Sequence, residues 1–243
     1  MFSFVRLASS ASARLNRACV FLSLAAAALL LASAANTHAQ FGAPPPGTKV
    51  LDPSALRPPA GARVAIVEFE DMECPDCANA NPILRQAAAT YKIPWERHDF
   101  PLPFHAWSMT AAVNARWFDT RSKALGDEYR DDVFANQRSI TSTDVLRQFT
   151  EKFAQGHGIA LPFAIDPQGK LITLVKTDYA LGQRIGVEHT PTIWVVTANS
   201  KGAPFVEVVD RSKLYQLIDQ ALADTAPAKA APAKAQAKKP SSK

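Results

Sequence analysis

The stretch from Arg63 to Ile83 constrains the fold more than any other part of the chain. An apolar, β-branched run from Val64 to Glu70 predicts a buried strand, and the Ala-rich segment after it predicts a helix. Between them stands Cys74-Pro75-Asp76-Cys77. The sequence therefore predicts a strand, a short turn, a dithiol and a helix, in that order.

The spacing of the two cysteines favours redox chemistry. If Cys74 caps the helix and Pro75 takes its first position, the sulfurs lie together, because residues three apart on a helix are roughly 5 to 6 Å apart. The free N–H groups and the dipole at the helix start favour the thiolate and lower the pKa of Cys74. We predict that Cys74 is the attacking thiol and Cys77 the resolving thiol.

Glu68 lies six residues before Cys74 in the apolar run. A strand covered on both faces would bury this carboxyl group beneath the dithiol and raise its pKa, so that it could exchange a proton with Cys77. The alternative for Glu68 is an exposed carboxylate at the strand end. For Glu70, nearer that end on the same face, we predict a solvated side chain.

Residues 1–39 are typical of a secretory signal peptide. Three arginines precede an apolar run from Ala18 to Ala35, and Thr37-His38-Ala39 offers a cleavage site. An uncleaved membrane anchor is the alternative. Cleavage would remove Cys19 and leave one close cysteine pair, which in an exported chain favours exchange over a structural disulfide framework. We expect a periplasmic or otherwise extracytoplasmic protein.

The formal charge of +5 belongs to the ends of the chain. Three basic residues lie in the signal segment and five lysines lie in the Ala/Pro/Lys tail at 225–243, and neither segment contains an acid. The rest of the chain offers no basic face that would argue for nucleic-acid binding. Residues 40–62 predict a Pro-rich linker, and the tail composition predicts disorder.

The remaining pattern predicts an α/β fold with a helical insertion. A helix should run from about Cys74 to Thr90, kinked at Pro82, and a second strand, Pro94 to Phe100, should lie parallel to the first. Residues 106–185 show four segments of helical periodicity. The strands Thr192 to Val196 and Phe205 to Val209 should form an antiparallel hairpin with its turn at 199–202, before a last helix from Ser212 to Ala223.

This arrangement, with Thr190-Pro191 ahead of the hairpin, resembles the thioredoxin superfamily and in particular its DsbA-like branch of periplasmic thiol:disulfide oxidoreductases. The resemblance implies a thioredoxin domain made of residues 63–105 and 186–224, with 106–185 as an inserted helical domain. It also implies a cis proline at Pro191 beside the dithiol, with Thr190 and Pro191 binding substrate. Phe104 and Trp107 follow a stretch similar to exported DsbA-like proteins and serve either domain packing or peptide contact.

The motif departs from the strongest oxidants of this family at Asp76, where they carry histidine, and at Glu73. Together with Pro75, these two acids should tune the redox potential of the dithiol, because carboxylates near a thiolate raise the pKa of the thiol. The shift is too small to span the range of the family, so we predict an intermediate reduction potential.

The sequence thus predicts an exported oxidase that exchanges disulfides with protein or peptide thiols and is recycled by a membrane partner. We expect a monomer without cofactor or metal. A periplasmic reductase is the alternative, and a Cu(I)-binding module built on the two thiols is a further one. His189 is either a plain loop residue or a group at the rim of the site, and the separation of His98 from His105 argues against a ligand pair.

Overall fold

A computed structural model of the chain describes residues 47–198 and 202–226. The predicted signal segment, residues 40–46 of the linker, most of the hairpin turn and residues 227–243 of the tail lie outside the described residues. Within the described ranges, no helix combines the length and the apolar character needed to cross a bilayer.

Four strands form one mixed sheet in the order β2-β1-β3-β4. Strand β1 pairs in parallel with β2, and β3 pairs antiparallel with β4, which confirms the two predicted pairings. The structure adds an antiparallel pairing of β1 with β3. The first strand of the hairpin ends one residue later than predicted and the second ends two residues earlier. The strands are β1 (Val64–Glu70), β2 (Trp95–Asp99), β3 (Thr192–Thr197) and β4 (Phe205–Glu207).

Six helices lie within the described residues, four of them between β2 and β3 as the periodicity predicts. Pro82 lies inside the first helix, which continues past it to Tyr91. The last helix follows a 3-10 turn at Arg211–Lys213, which Asp210 caps through the N–H of Ser212. The helices are α1 (Pro75–Tyr91), α2 (Ser108–Asp119), α3 (Lys123–Asn136), α4 (Thr143–Gly156), α5 (Lys170–Ile185) and α6 (Leu214–Asp224).

All seven residues of β1 are buried, because the strand is central and covered on both faces. On one face, Val64 and Ile66 pack with residues of α1 and α6 such as Leu84 and Ile218. Ala65, Val67 and Phe69, which alternate with them along β1, pack on the other face with residues of α5. At Gly182 in α5, a Cβ atom would lie 2.6 Å from the ring of Phe100, so only glycine permits this close approach.

The helices α2 to α5 contribute to a third core, which includes the dithiol. Aromatic side chains are prominent in it, and the ring of Phe118 contacts that of Tyr129 in a tilted arrangement and that of Phe153 edge to face. Cys74 and Cys77 belong to the same cluster of buried residues. The helical block therefore packs directly against the redox motif, and the structure confirms the predicted thioredoxin-like α/β fold with a helical insertion.

Candidate active site

The dithiol lies at the junction of the loop after β1 with the first turn of α1. Cys74 is the N-cap residue in extended conformation, and Pro75 is the first helical residue. Both cysteines are free thiols; Cys74 is 8% exposed and Cys77 is fully buried. A substrate can therefore reach the first sulfur and not the second.

The surroundings of the two thiols separate their proton affinities. A hydrogen bond from Cys77, helped by the backbone N–H groups of Asp76 and Cys77, lowers the pKa of Cys74 to about 6 although burial opposes this shift. Burial and the neighbouring Cys74 raise the pKa of Cys77 well above its usual value. At neutral pH Cys74 is therefore mostly thiolate, while Cys77 keeps its proton.

The peptide bond between Thr190 and Pro191 is cis and lies beside the dithiol. The thiol of Cys74 lies 3.3 Å from the carbonyl oxygen of Thr190, to which it can donate. His189, just before this bond, is half-buried, and its carbonyl oxygen accepts a hydrogen bond from the hydroxyl of Thr192. The loop thus brings Thr190 and Pro191 to the exposed side of Cys74.

Glu68 is buried in β1, with 1% of its surface exposed. Its Oε2 atom accepts a hydrogen bond of 2.9 Å from the indole N–H of Trp95. Burial and the nearby charge of Glu70 raise the pKa of Glu68 to about 8, and the charge of Glu68 in turn helps to raise the pKa of Cys77. A carboxyl group with this pKa can gain and lose a proton near neutral pH.

The prediction that Glu70 is solvated is wrong. Glu70 is 2% exposed, and the guanidinium group of Arg97 donates to both of its carboxylate oxygens at 2.8 to 3.1 Å. Arg97 reaches it because β2 lies beside β1, and Arg130 from α3 lies 3.6 Å away. The pattern of β1 alone could not show that cations from two other elements would cover the strand end.

That Glu73 and Asp76 raise the pKa of Cys74 stays a prediction, but other groups hold both carboxylates and so weaken the expected effect. The Oε2 atom of Glu73 accepts hydrogen bonds from the N–H groups of Trp107 and Ser108, at 2.6 and 3.0 Å, where α2 begins. The guanidinium of Arg211 donates two hydrogen bonds to Asp76, at 2.8 and 2.6 Å. Neither acid is left as an uncompensated charge beside the thiolate.

Asp71 organises the loop between β1 and the dithiol. Its buried carboxylate accepts hydrogen bonds from the backbone N–H groups of Glu73 and Leu102 and from the hydroxyl of Ser108. It also pairs with the imidazole of His105. Its own N–H donates to the sulfur of Cys77 at 3.5 Å. Sequence reasoning missed this role, although the position of Asp71 in the acidic turn before the motif was an available signal.

Gln137 holds the same loop from the side of the helical insertion. Its amide nitrogen donates to the carbonyl oxygens of Met72 and Cys74, both at 2.9 Å. No sequence signal pointed to Gln137 or Arg211, because they lie 63 and 135 residues from their partners in the motif.

A groove of about 760 Å³ opens beside Pro75, between the start of α1 and the 3-10 turn after α3. Asn79 and Arg138 contribute polar groups to its lining. Of the two aromatic residues singled out earlier, Trp107 is 3% exposed and packs in the helical core, whereas Phe104 is 76% exposed.

The histidines near the site have separate partners. The Nδ1 atom of His98 lies 3.1 Å from Asp178, and that of His105 lies 2.7 Å from Asp71. Over residues 47–198 and 202–226, no three side chains of His, Cys, Asp or Glu cluster as a metal site would require.

Comparison with known proteins identifies the family of the chain. The sequence model of the family described as thioredoxin matches residues 59–211, more than half of the chain. A search of the curated proteins found no match.

Solved structures share the fold at low sequence identity. The thiol-disulfide exchange protein alpha-DsbA2 from Wolbachia pipientis superposes with a TM-score of 0.53 at 19% identity, covering 68% of this chain and 84% of that one. ScsC from Proteus mirabilis, in a transitional conformation, gives 0.52 at 17% identity, covering 68% and 70%. A periplasmic thioredoxin-like protein from Salmonella enterica serovar Typhimurium gives 0.50 at 19% identity, covering 68% and 87%. The chain belongs to the thioredoxin family and has the fold of its DsbA-like thiol:disulfide oxidoreductases.

Proposed function

We propose that this protein is an exported thiol:disulfide oxidoreductase that oxidises the thiols of protein or peptide substrates. The observation that supports it best is the asymmetry of the dithiol. A nearly buried Cys74 with a pKa of about 6 faces the cis Thr190–Pro191 bond, and a fully buried Cys77 with a raised pKa lies behind it. An entering thiolate meets only the first sulfur.

In the oxidising direction, a substrate thiolate attacks the Cys74 sulfur of the Cys74–Cys77 disulfide. The bond between the cysteines breaks, and Cys77 leaves with the electron pair and takes a proton, for which Glu68 is the donor. A second substrate thiolate then attacks the substrate sulfur of the mixed disulfide, and Cys74 leaves as thiolate. The substrate loses two electrons and gains a disulfide, and the protein keeps both electrons as a dithiol.

The low pKa of Cys74 supports the oxidising direction. A stabilised thiolate favours the reduced form of the protein, so its disulfide is a better oxidant. We expect a reduction potential between about −270 mV and about −120 mV, the values of thioredoxin and of DsbA. A titration against glutathione that placed the protein at either extreme would contradict this expectation.

Export is proposed from the signal-like residues 1–39, and the periplasmic location named for the Salmonella protein supports it. On this proposal residues 63–105 and 186–224 form the redox domain, 106–185 the inserted helical domain, and the linker and tail flank them. We further propose that the protein acts as a monomer and that a membrane partner reoxidises the dithiol.

Trapping the thiols in cells separates the oxidase from the reductase. Acid quenching followed by alkylation should find Cys74 and Cys77 mostly as a disulfide if the protein is an oxidase, and a dithiol population would indicate a reductase. In vitro, Cys74→Ser should abolish oxidation of a reduced two-cysteine peptide. Cys77→Ser, given the same peptide in its disulfide form, should accumulate a mixed disulfide, because the Cys74 thiolate can attack the peptide disulfide and no second protein thiol resolves the product. If Cys74→Ser exchanged disulfides as fast as the parent, the proposed function would be wrong.

A further inference from the structure

Arg211 reaches the dithiol motif from a distant part of the chain. It opens the 3-10 turn that precedes α6, and its guanidinium donates through Nη1 and Nη2 to the two carboxylate oxygens of Asp76, at 2.8 and 2.6 Å. Two parallel hydrogen bonds of this kind fix the carboxylate plane as well as its position, which a lysine could not do. Asp76 is thereby held toward α6.

The charge of the same cation also interacts with the redox groups. Interaction with Asp76 raises the pKa of Arg211, and the charges of Cys77 and Cys74 add to this effect. By reciprocity, a cation that is stabilised by the thiolates must stabilise them. The charge of Arg211 also acts to lower the pKa of the buried Glu68, against the larger effects of burial and Glu70.

Other charges around Cys74 are already compensated. Glu70 is held by Arg97, Glu73 by backbone N–H groups, and Asp71 by donors that include His105. Charged or titratable side chains on the elements around the dithiol include Glu68 and Glu70 on β1, Arg97 on β2, Asp71 and Glu73 on the loop, Asp76 on α1, His105 after β2, Arg138 in the groove beside Pro75, Glu188 and His189 before the cis bond, and Asp210, Arg211 and Lys213 in the turn before α6. Asp76 is the acid inside the motif itself, and Arg211 is the cation that holds it.

We infer that Arg211 is a positioning residue that sets the redox balance of the dithiol, by holding the acidic side chain of Asp76 and presenting a positive charge to Cys74. The inference rests on the proposed function. The pair is partly exposed, with 31% and 53% of the two side chains accessible, so it contributes little to the free energy of unfolding. Its effect is on the ionisation of Cys74 and not on the fold.

The experiment compares Arg211→Gln with Lys213→Gln, which removes one charge from the same turn but from a side chain 64% exposed. The pKa of Cys74 is followed through the ultraviolet absorbance of its thiolate, and the equilibrium with glutathione is measured on the same samples. Arg211→Gln should raise the pKa of Cys74 by about half a unit to one unit. It should also stabilise the disulfide against glutathione by about three- to tenfold, and Lys213→Gln should change neither quantity.

Two further variants complete the cycle. Asp76→Asn should lower the pKa of Cys74, and adding Asp76→Asn to Arg211→Gln should recover part of the shift, because the unpaired acid is then absent. Arg211→Lys keeps the positive charge but not the two parallel hydrogen bonds to Asp76, so it should raise the pKa of Cys74 less than Arg211→Gln does. Thermal melting checks that each variant is folded.

The outcomes separate the inference from the proposed function. If the parent exchanges with glutathione but Arg211→Gln and Lys213→Gln behave alike, the inference about Arg211 is overturned and the proposed function stands. If the parent does not exchange disulfides with glutathione or with the peptide, the proposed function itself fails.

Discussion

Glu68 is a single carboxyl group whose burial bears on stability and, in the proposed mechanism, on redox chemistry. It lies in a fully buried strand, and its one hydrogen bond from Trp95 does not offset the cost of burying a charge. The folded protein therefore holds the proton of Glu68 more tightly than the unfolded chain does. A group of this kind destabilises the fold when it must ionise, and it is retained where proton transfer is needed.

Replacing Glu68 with glutamine should make stability less dependent on pH. Because the pKa is about 8 in the folded protein against 4.5 ordinarily, the free energy of unfolding of the parent should fall as pH rises through this window. Glu68→Gln keeps an acceptor for Trp95 and removes the titration. It should therefore gain a few kcal/mol relative to the parent at about pH 8.5, and no such gain at about pH 4.

Urea unfolding at the two pH values measures this difference. Glu96→Gln on the neighbouring β2 serves as the control and should show no pH-dependent gain. The same Glu68→Gln protein should form the mixed disulfide with its substrate more slowly, since the departing Cys77 loses its proton donor. An unchanged pH profile would show that Glu68 does not ionise in this window.

At the level of elements, three separate segments converge on the loop that carries the dithiol. The start of α2 supplies two N–H groups to Glu73, the 3-10 turn after α3 supplies Gln137, and the turn before α6 supplies Arg211. The first two come from the helical insertion. The insertion therefore does more than cover the sheet, because its backbone and one amide fix the loop from which Cys74 projects.

Gln137→Leu tests that contribution. The substitution keeps the approximate volume and leaves the carbonyl oxygen of Met72 without its amide donor, so we expect a loss of about 1 to 3 kcal/mol in the free energy of unfolding. Cys74 should also become more exposed and react faster with an alkylating reagent. Gln155→Leu on the exposed face of α4 is the matched control, and equal behaviour of the two variants would contradict the role of Gln137.

Across the whole molecule, a buried ionic cluster joins the sheet to the helices. Arg97 binds Glu70 and Asn81, and lies 3.2 Å from Asp131 on α3. Arg130, 1% exposed, donates to Asp119 at 3.0 and 2.9 Å, and Arg116 pairs with Asp99 and Asp178. Removing one member of such a buried pair strands the charge of the other.

Arg97→Met should therefore lower the free energy of unfolding by roughly 3 to 5 kcal/mol. Adding Glu70→Gln should restore part of the loss, because the stranded carboxylate is then gone. Arg85→Met, at a partly exposed arginine that pairs with Asp131, is the control and should cost less than about 1 kcal/mol. Strictly additive losses in the double variant would show that Arg97 and Glu70 do not depend on each other.

The sequence by itself determined the local order of the redox motif and the class of the fold. The apolar, β-branched run of β1, the Pro75 start of α1 and the helical periods of the insertion are short-range signals, so they can be recognised without knowledge of the partners. The burial of Glu68 could also be predicted, because it lies among apolar residues in a strand that a helix must cover.

Only the tertiary structure decided which charges are compensated. Glu70, Glu73 and Asp76 are all acidic residues close to the dithiol in sequence, yet each is held by a different group. The hydrogen bond from Arg211 to Asp76 spans 135 residues of sequence. The physical reason is that an ionisable group responds to charges and dipoles within a few ångströms of it, and packing of distant elements sets those distances.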